Sequence, residues 1–194
     1  MTTATLAMAG VHAYPGAVPG VWYFAYGSNM QTATLRGRRG VDFTRALPAA
    51  VAGWRLVFDK PSLLRLPHAF ANIVPEEGAE VLGVAFAVST DDLAHIEMTE
   101  GVPMGNYRRV EVAVHPLGAV PDPPTSAFTL ASERRDPALR PSTRYLELVI
   151  AGALEHGLPA AWIASLRAVP AEPEDARAAA LAPVLDGLMR RRPA

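Results

Sequence analysis

Two stretches carry residue types from which a proton-transfer chemistry can be assembled. The first is Tyr23-Phe24-Ala25-Tyr26, an aromatic and apolar run that stops at Gly27-Ser28-Asn29. Such a run suits a strand buried on both faces, and the small polar residues after it predict a Gly-centred turn. A turn of this kind can aim backbone N–H groups into a concavity, where they hold anionic oxygens. The same residues also fit a plain turn whose Ser28 and Asn29 cap a helix over 31–36. The second is Glu100, in a helix that opens at Ser89-Thr90-Asp91-Asp92. It follows Leu93 by seven positions and Ile96 by four, which projects its carboxylate from the apolar face. It is also the last residue before Gly101, at the negative end of the helix dipole, and both settings disfavour the ionised form. A carboxyl group so placed can accept and return a proton near neutrality. The plainer reading is a solvated Glu at a frayed helix end. Glu97, one turn earlier, can join it, while His95 is expected to face water.

Other chemistries lack their residues. There is no cysteine, hence no disulfide, thiolate ligand or Cys nucleophile. His12, His68, His95, His115 and His156 include no i, i+4 helical pair and no accompanying carboxylate cluster, so no metal site is expected. Gly27-Ser28-Asn29 is not a Gly-x-Ser-x-Gly elbow, and no Lys-Ser/Thr pair follows the glycine as in a phosphate loop. Arg108-Arg109 and Arg134-Arg135 read as solvated strand edges, one of which can meet a substrate carboxylate. With 18 basic against 19 acidic residues the net charge is -1, which offers no basic field to nucleic acid or a membrane surface. Lys60 is the only lysine beside 17 arginines, and alanine is abundant, a bias that reads as GC-rich coding.

The elements that must position these groups follow from pattern. Half of the 194 residues are hydrophobic, enough for one domain with a real core. Strands are predicted over 21–26, 53–58, 69–74, 81–88, 107–114 and 126–131. The Pro75-Glu76-Glu77-Gly78 segment between the third and fourth predicts a hairpin. The helix before Gly101 is short, and a loop with four prolines covers 116–124. After Pro141-Ser142, Tyr145, Leu148, Val149 and Gly152 follow helical spacing, and further helices are predicted over 160–169 and 175–192. The Arg190-Arg191-Arg192 tail complements the last helix's dipole. About six short strands followed by a helical third gives an α+β domain with a mixed, barrel-like sheet and flanking helices over 21–194. Residues 1–20 lack a basic n-region and their apolar run is broken by Gly10, His12, Pro15 and Gly16. They read as a flexible leader and not as a secretory signal, so a cytoplasmic protein is expected.

Taken together, Tyr23 to Met30, then Thr99-Glu100-Gly101-Val102, then Asn106-Tyr107, resemble the gamma-glutamylcyclotransferase family. The likeness continues through Pro141-Ser142-x-x-Tyr145 and Gly152 to Pro159, and so covers roughly residues 21–170 in family order. It implies a barrel-like fold and release of 5-oxoproline from a gamma-glutamyl amide, without metal or organic cofactor. By this resemblance Glu100 is the catalytic acid/base. Tyr23, Phe24, Ala25, Tyr26, Gly27, Ser28 and Asn29, with Tyr107 and Tyr145, form the substrate-binding set. The partner implied is a small gamma-glutamyl molecule, and the assembly hinted at is a homodimer. Two departures bear on the leaving group: Phe128 stands where a strand tyrosine is usual, and 116–124 looks inserted. They keep open another cyclisation or lyase step on a specialised metabolite. A non-enzymatic module that binds a small ligand is a third reading, against which Glu100 beside the Tyr26-Gly27-Ser28 turn speaks.

Overall fold

The computed structural model describes residues 20–190, so the expected leader up to residue 19 and the Arg191-Arg192 pair lie outside the described residues. Strand β1 (Gly20–Ala25) runs antiparallel to β3 (Ala69–Ser89) from Gly20 opposite Ser89 to Ala25 opposite Val84. On its other side it runs parallel to β6 (Ser126–Ala131), with Tyr23 opposite Phe128. Helical elements cover one of its faces and the curled sheet itself closes over the other, which is why the run carries no polar alternation. Tyr23 and Ala25 join one core cluster, with Met30, Phe86, Ile96 and Val149. Phe24 and Tyr26 join the other, with Val51, Ile73 and Val112. The sheet order is β4-β6-β1-β3-β2-β5, with β2 spanning Arg45–Pro61, β4 Arg108–Ala113 and β5 His115–Pro116. The fold is the expected α+β arrangement of a mixed, curled six-strand sheet with flanking helices.

The hairpin expected between 69–74 and 81–88 is absent. Both halves belong to β3 and pair with β2: Ala69 to Pro75 lie against Pro61 to Trp54, and Glu80 to Ala87 against Ala52 to Arg45. The four residues 76–79 swell out as a bulge opposite Gly53. Gly53 (φ 80°) and Gly78 (φ 76°) supply the left-handed backbone it needs. The Pro-Glu-Glu-Gly chemistry did mark a break. Because β2 is long enough to template both sides, the chain leaves the ladder there and returns to the same partner.

The curl of the sheet follows from the shortness of β1. Beyond Ala25 its two neighbours continue and meet across the gap. Asn72 Nδ2 donates to the Ser132 carbonyl at 2.9 Å and the Ser132 amide donates to Asn72 Oδ1 at 2.8 Å. The Asp136 amide donates to the Asp59 carbonyl at 2.7 Å. A pocket therefore opens where the central strand runs out.

Helix α1 (Thr90–Thr99) is capped by Ser89, whose Oγ accepts from the Asp92 amide at 3.0 Å. It ends at Gly101 in the left-handed conformation (φ 75°), which leaves Glu100 as the C-cap. In place of the helix expected over 31–36 there is a 3₁₀ turn, Ser28–Met30, and then a π-helical turn, Ala33–Arg38. Helices α2 (Thr143–Glu155), α3 (Ala160–Arg167) and α4 (Ala176–Met189) follow in the described residues. Gly152 lets α2 seat directly on the 3₁₀ turn, since a Cβ there would lie 2.6 Å from the Gln31 nitrogen. No helix among the described residues is long and apolar enough to cross a membrane.

Candidate active site

A cavity of about 300 Å³ lies beyond the end of β1, and Tyr23, Tyr26, Gly27, Ser28, Asn29, Glu100, Tyr107 and Tyr145 all line it. Phe24 and Ala25 do not; they are fully buried core, and fix the strand that carries the others. The turn and the helix end meet directly, because Asn29 Nδ2 donates to Glu100 Oε1 at 2.9 Å. The same amide donates to the Tyr23 hydroxyl at 3.1 Å.

Arg39 completes this junction. It is 8% exposed and follows the π-helical turn. Its guanidinium donates to Asn29 Oδ1 at 2.7 Å, to Glu100 Oε1 at 2.5 Å and to Thr99 Oγ1 at 2.8 Å. The carboxylate is thus held as one arm of a charge-assisted network, and the burial expected of it is compensated by a cation. Its backbone is fixed as well, since Asn106 Nδ2 donates to the Glu100 carbonyl at 2.8 Å. Glu97 does not join the site. It pairs with Arg109 at 3.2 Å. His95 does not face water either: its Nε2 meets the carbonyls of Arg39 and Met189, each at 3.0 Å, and ties α1 to both.

Four tyrosines add to the polar wall. The Tyr26 hydroxyl donates to the Leu130 carbonyl, and the Tyr107 hydroxyl to the Ala71 carbonyl at 2.9 Å. Tyr145 is set by the Ser142 cap of α2, and its hydroxyl accepts from the Ala71 amide at 3.1 Å while lying against Ser28. Gly27 makes room for that hydroxyl, which would sit 3.1 Å from a Cβ. Burial, and then the Glu100 charge, push the Tyr23 phenol up. Burial, the neighbouring phenols and Glu100 do the same to Tyr26 and Tyr107. Tyr145 is raised to about 12, chiefly by burial, against the hydrogen bonds that lower it. All four are therefore neutral donors and acceptors near neutral pH. Glu100 is the carboxylate within their reach.

Sequence reasoning missed three contributors. Arg39 stands in Arg36-Gly37-Arg38-Arg39, where nothing marks one arginine as inward-facing. Lys60, on β2, lines the cavity at 2% exposure. Helix α4 forms a wall through Ala178, Ala182, Leu185 and Met189, held by Arg38 Nε donating to Asp186 at 3.0 Å. The paired arginines expected at strand edges are engaged, Arg108 with Glu133 at 3.5 Å and Arg135 with Asp59 at 2.6 Å. Phe128 lies under the Arg109 guanidinium at 4.8 Å, and neither it nor any of residues 116–124 lines the cavity. Among the described residues no cluster of His, Asp and Glu is arranged to hold a metal ion.

A family model described as the AIG2-like family matches residues 80–166. Over 169 residues the chain is 30% identical to gamma-glutamyl cyclotransferase aclK of Aspergillus oryzae, covering 76% of this chain and 60% of that protein. Over 156 residues it is 28% identical to the gamma-glutamylcyclotransferase of Bos taurus, covering 79% of each. A solved structure titled gamma-glutamyl cyclotransferase superposes with a TM-score of 0.65 at 27% identity, covering 80% of this chain and 90% of that one.

Proposed function

The chain is gamma-glutamylcyclotransferase-like in sequence and in fold, and on that premise we propose that it converts a gamma-glutamyl amide to 5-oxoproline and a free amine. The substrate is an amino-acid, peptide or amine conjugate, and the step is an intramolecular acyl transfer with lyase outcome that needs no cofactor. One observation carries the reading: the end of α1 and the turn after β1, some seventy positions apart, share one cavity and are joined there by the Asn29–Glu100 hydrogen bond.

The chemistry follows from the substrate's own groups. Its alpha-ammonium loses a proton to Glu100, and the freed nitrogen attacks the gamma-carbonyl carbon to close a five-membered ring. The old amide C–N bond then breaks as Glu100 returns that proton to the departing nitrogen, and the ring nitrogen gives up its second surplus proton by the same route, so 5-oxoproline keeps one N–H and the amine leaves as an ammonium. Holding the chain folded for closure supplies on the order of 7 kcal/mol for a well-oriented intramolecular reaction. The carboxyl group adds roughly 100- to 10,000-fold as acid and base. The Tyr23 and Tyr145 hydroxyls, which accept from Asn29 and from the Ala71 amide, and the Gly27–Ser28 backbone are the donors at hand for the substrate's oxygens.

The test is a screen of gamma-glutamyl amides for 5-oxoproline, with Glu100→Gln beside the wild type. The amide oxygen of the glutamine can still accept from Asn29 and Arg39, so the variant is expected to fold and to lose at least about a hundredfold in turnover. Full turnover in that variant rejects the role given to Glu100. The reading of another cyclisation step drew on Phe128 and on 116–124, and neither lines the cavity. A pure binder has no use for a proton-accepting carboxyl group set beside the turn, where Glu100 meets Asn29.

A further inference from the structure

Lys60 is the cation of the cavity that no other group explains. It lies 2% exposed near the end of β2, opposite Phe70 of β3, and lines the cavity with Glu100 and Tyr107. Its ammonium rests 4.7 Å from the Tyr107 ring centroid and 5.5 Å from that of Phe70. Ring faces steady an ammonium without neutralising it. The other cations of the lining are accounted for: Arg38 is bound to Asp186, Arg39 to Glu100, and Arg144 is solvent-exposed. No carboxylate of the described residues forms an ion pair with Lys60. The adjacent Asp59 is taken by Arg135, and Glu174, the remaining acidic residue of the lining, is half-exposed and forms no ion pair with it. Burial pushes the amine down to about 8, against the attraction of the Glu100 charge and with the repulsion of Arg134.

A buried charge without a counter-ion is unfavourable, and a chain that uses lysine once has put it here. The cost is removed when an anion enters the cavity. Resting on the cyclotransferase reading, we propose that Lys60 is the substrate-carboxylate anchor of this site, which makes the substrates gamma-glutamyl compounds that carry a carboxylate within its reach. Two carboxylates qualify: the alpha-carboxylate of the glutamyl half, and that of an amino-acid or peptide leaving group. Lys60 takes no part in the proton transfer. It holds the substrate so that the nitrogen next to Glu100 faces the gamma-carbonyl.

The experiment compares gamma-glutamyl-alanine with two analogues, one amidated at the alanine carboxylate and one at the glutamyl alpha-carboxylate. Each is given to the wild type, Lys60→Met and Lys60→Gln, with KM and kcat read separately. The expected result is a KM for gamma-glutamyl-alanine raised at least about tenfold in the variants, with kcat within about threefold. The amidation that raises the wild-type KM but leaves that of the variants unmoved identifies the carboxylate that Lys60 holds. A packing role alone would not produce that selectivity. The proposal is overturned if folded variants keep the wild-type KM, or if neither amidation weakens the wild type, an arm that needs no variant. If the wild type releases no 5-oxoproline from any of the three, the cyclotransferase reading has failed. Calorimetric binding of the same compounds then decides on Lys60 by the same criteria.

Discussion

Replacing Arg39 by methionine tests whether the junction of turn and helix is held by charge. The substitution keeps most of the buried stem but removes the donors to Asn29, Glu100 and Thr99. Taking one partner from a buried ion pair costs about 3–5 kcal/mol, because the other charge is left unmatched. The Glu100 side chain is 20% exposed, so water recovers part of this and about 3 kcal/mol is expected. In a chain of this size each kcal/mol lowers the melting temperature by about 2–4 °C, which gives a fall of roughly 6–12 °C. Glu100→Gln alone strands the guanidinium instead, at about 1–3 kcal/mol. With both changed, no charge is stranded, so the double variant should be more stable than the sum of the singles predicts by about 1–3 kcal/mol. Thermal and urea unfolding of the four proteins measures this cycle. A melting temperature for Arg39→Met within about 2 °C of the wild type, or strictly additive losses, would refute the reasoning.

Three further outcomes are expected. Gly152→Ala forces a methyl group to within 2.6 Å of the Gln31 nitrogen, and separating α2 from the 3₁₀ turn should cost about 2–3 kcal/mol in denaturant unfolding and lower activity with it. Tyr145→Phe leaves the Ala71 amide without its acceptor, for a loss of about 1–3 kcal/mol and a raised KM in the 5-oxoproline assay. Lys60 gives a pH signature in stability. Its amine is near 8 when folded against 10.5 in the open chain, so between these values the unfolded state binds more protons and stability rises with pH. The rise is at most about 3 kcal/mol, begins near pH 8, and should vanish in Lys60→Met. It is best read below pH 9.5, before the open chain's tyrosines ionise and pull stability down again.

The sequence carried a good deal of this arrangement, and where it fell short the causes are physical. Tyr23 to Asn29 announced itself because a run buried on both faces and cut by Gly-Ser-Asn has few other uses. Glu100 was legible because helical spacing fixes the direction of a side chain relative to Leu93 and Ile96. Arg39 and Lys60 were not. The inward turn of Arg39 depends on a π-helical turn that has no sequence signature, and a lysine reads as surface until the strand register places it opposite Phe70. The single lysine had looked like a by-product of coding bias. The false hairpin at 76–78 came from turn residues that serve a bulge, since local chemistry marks where a strand deviates and not which neighbour it pairs with. His95 was assigned to solvent because the carbonyls it meets belong to Arg39 and to α4, nearly a hundred residues away.

The cavity's walls differ in kind. The side bearing Gly27 to Asn29 is pinned at both flanks, Ala25 against Gly83 and Met30 against Gly152, where not even a methyl group fits. The side made by α4 offers alanines, a leucine and a methionine, clipped on by Arg38 and His95. One rim is masonry and the other is upholstery. Changes in α4 can reshape the chamber's outer half, and with it the choice of guest, while the carboxylate and its fittings stay where they are.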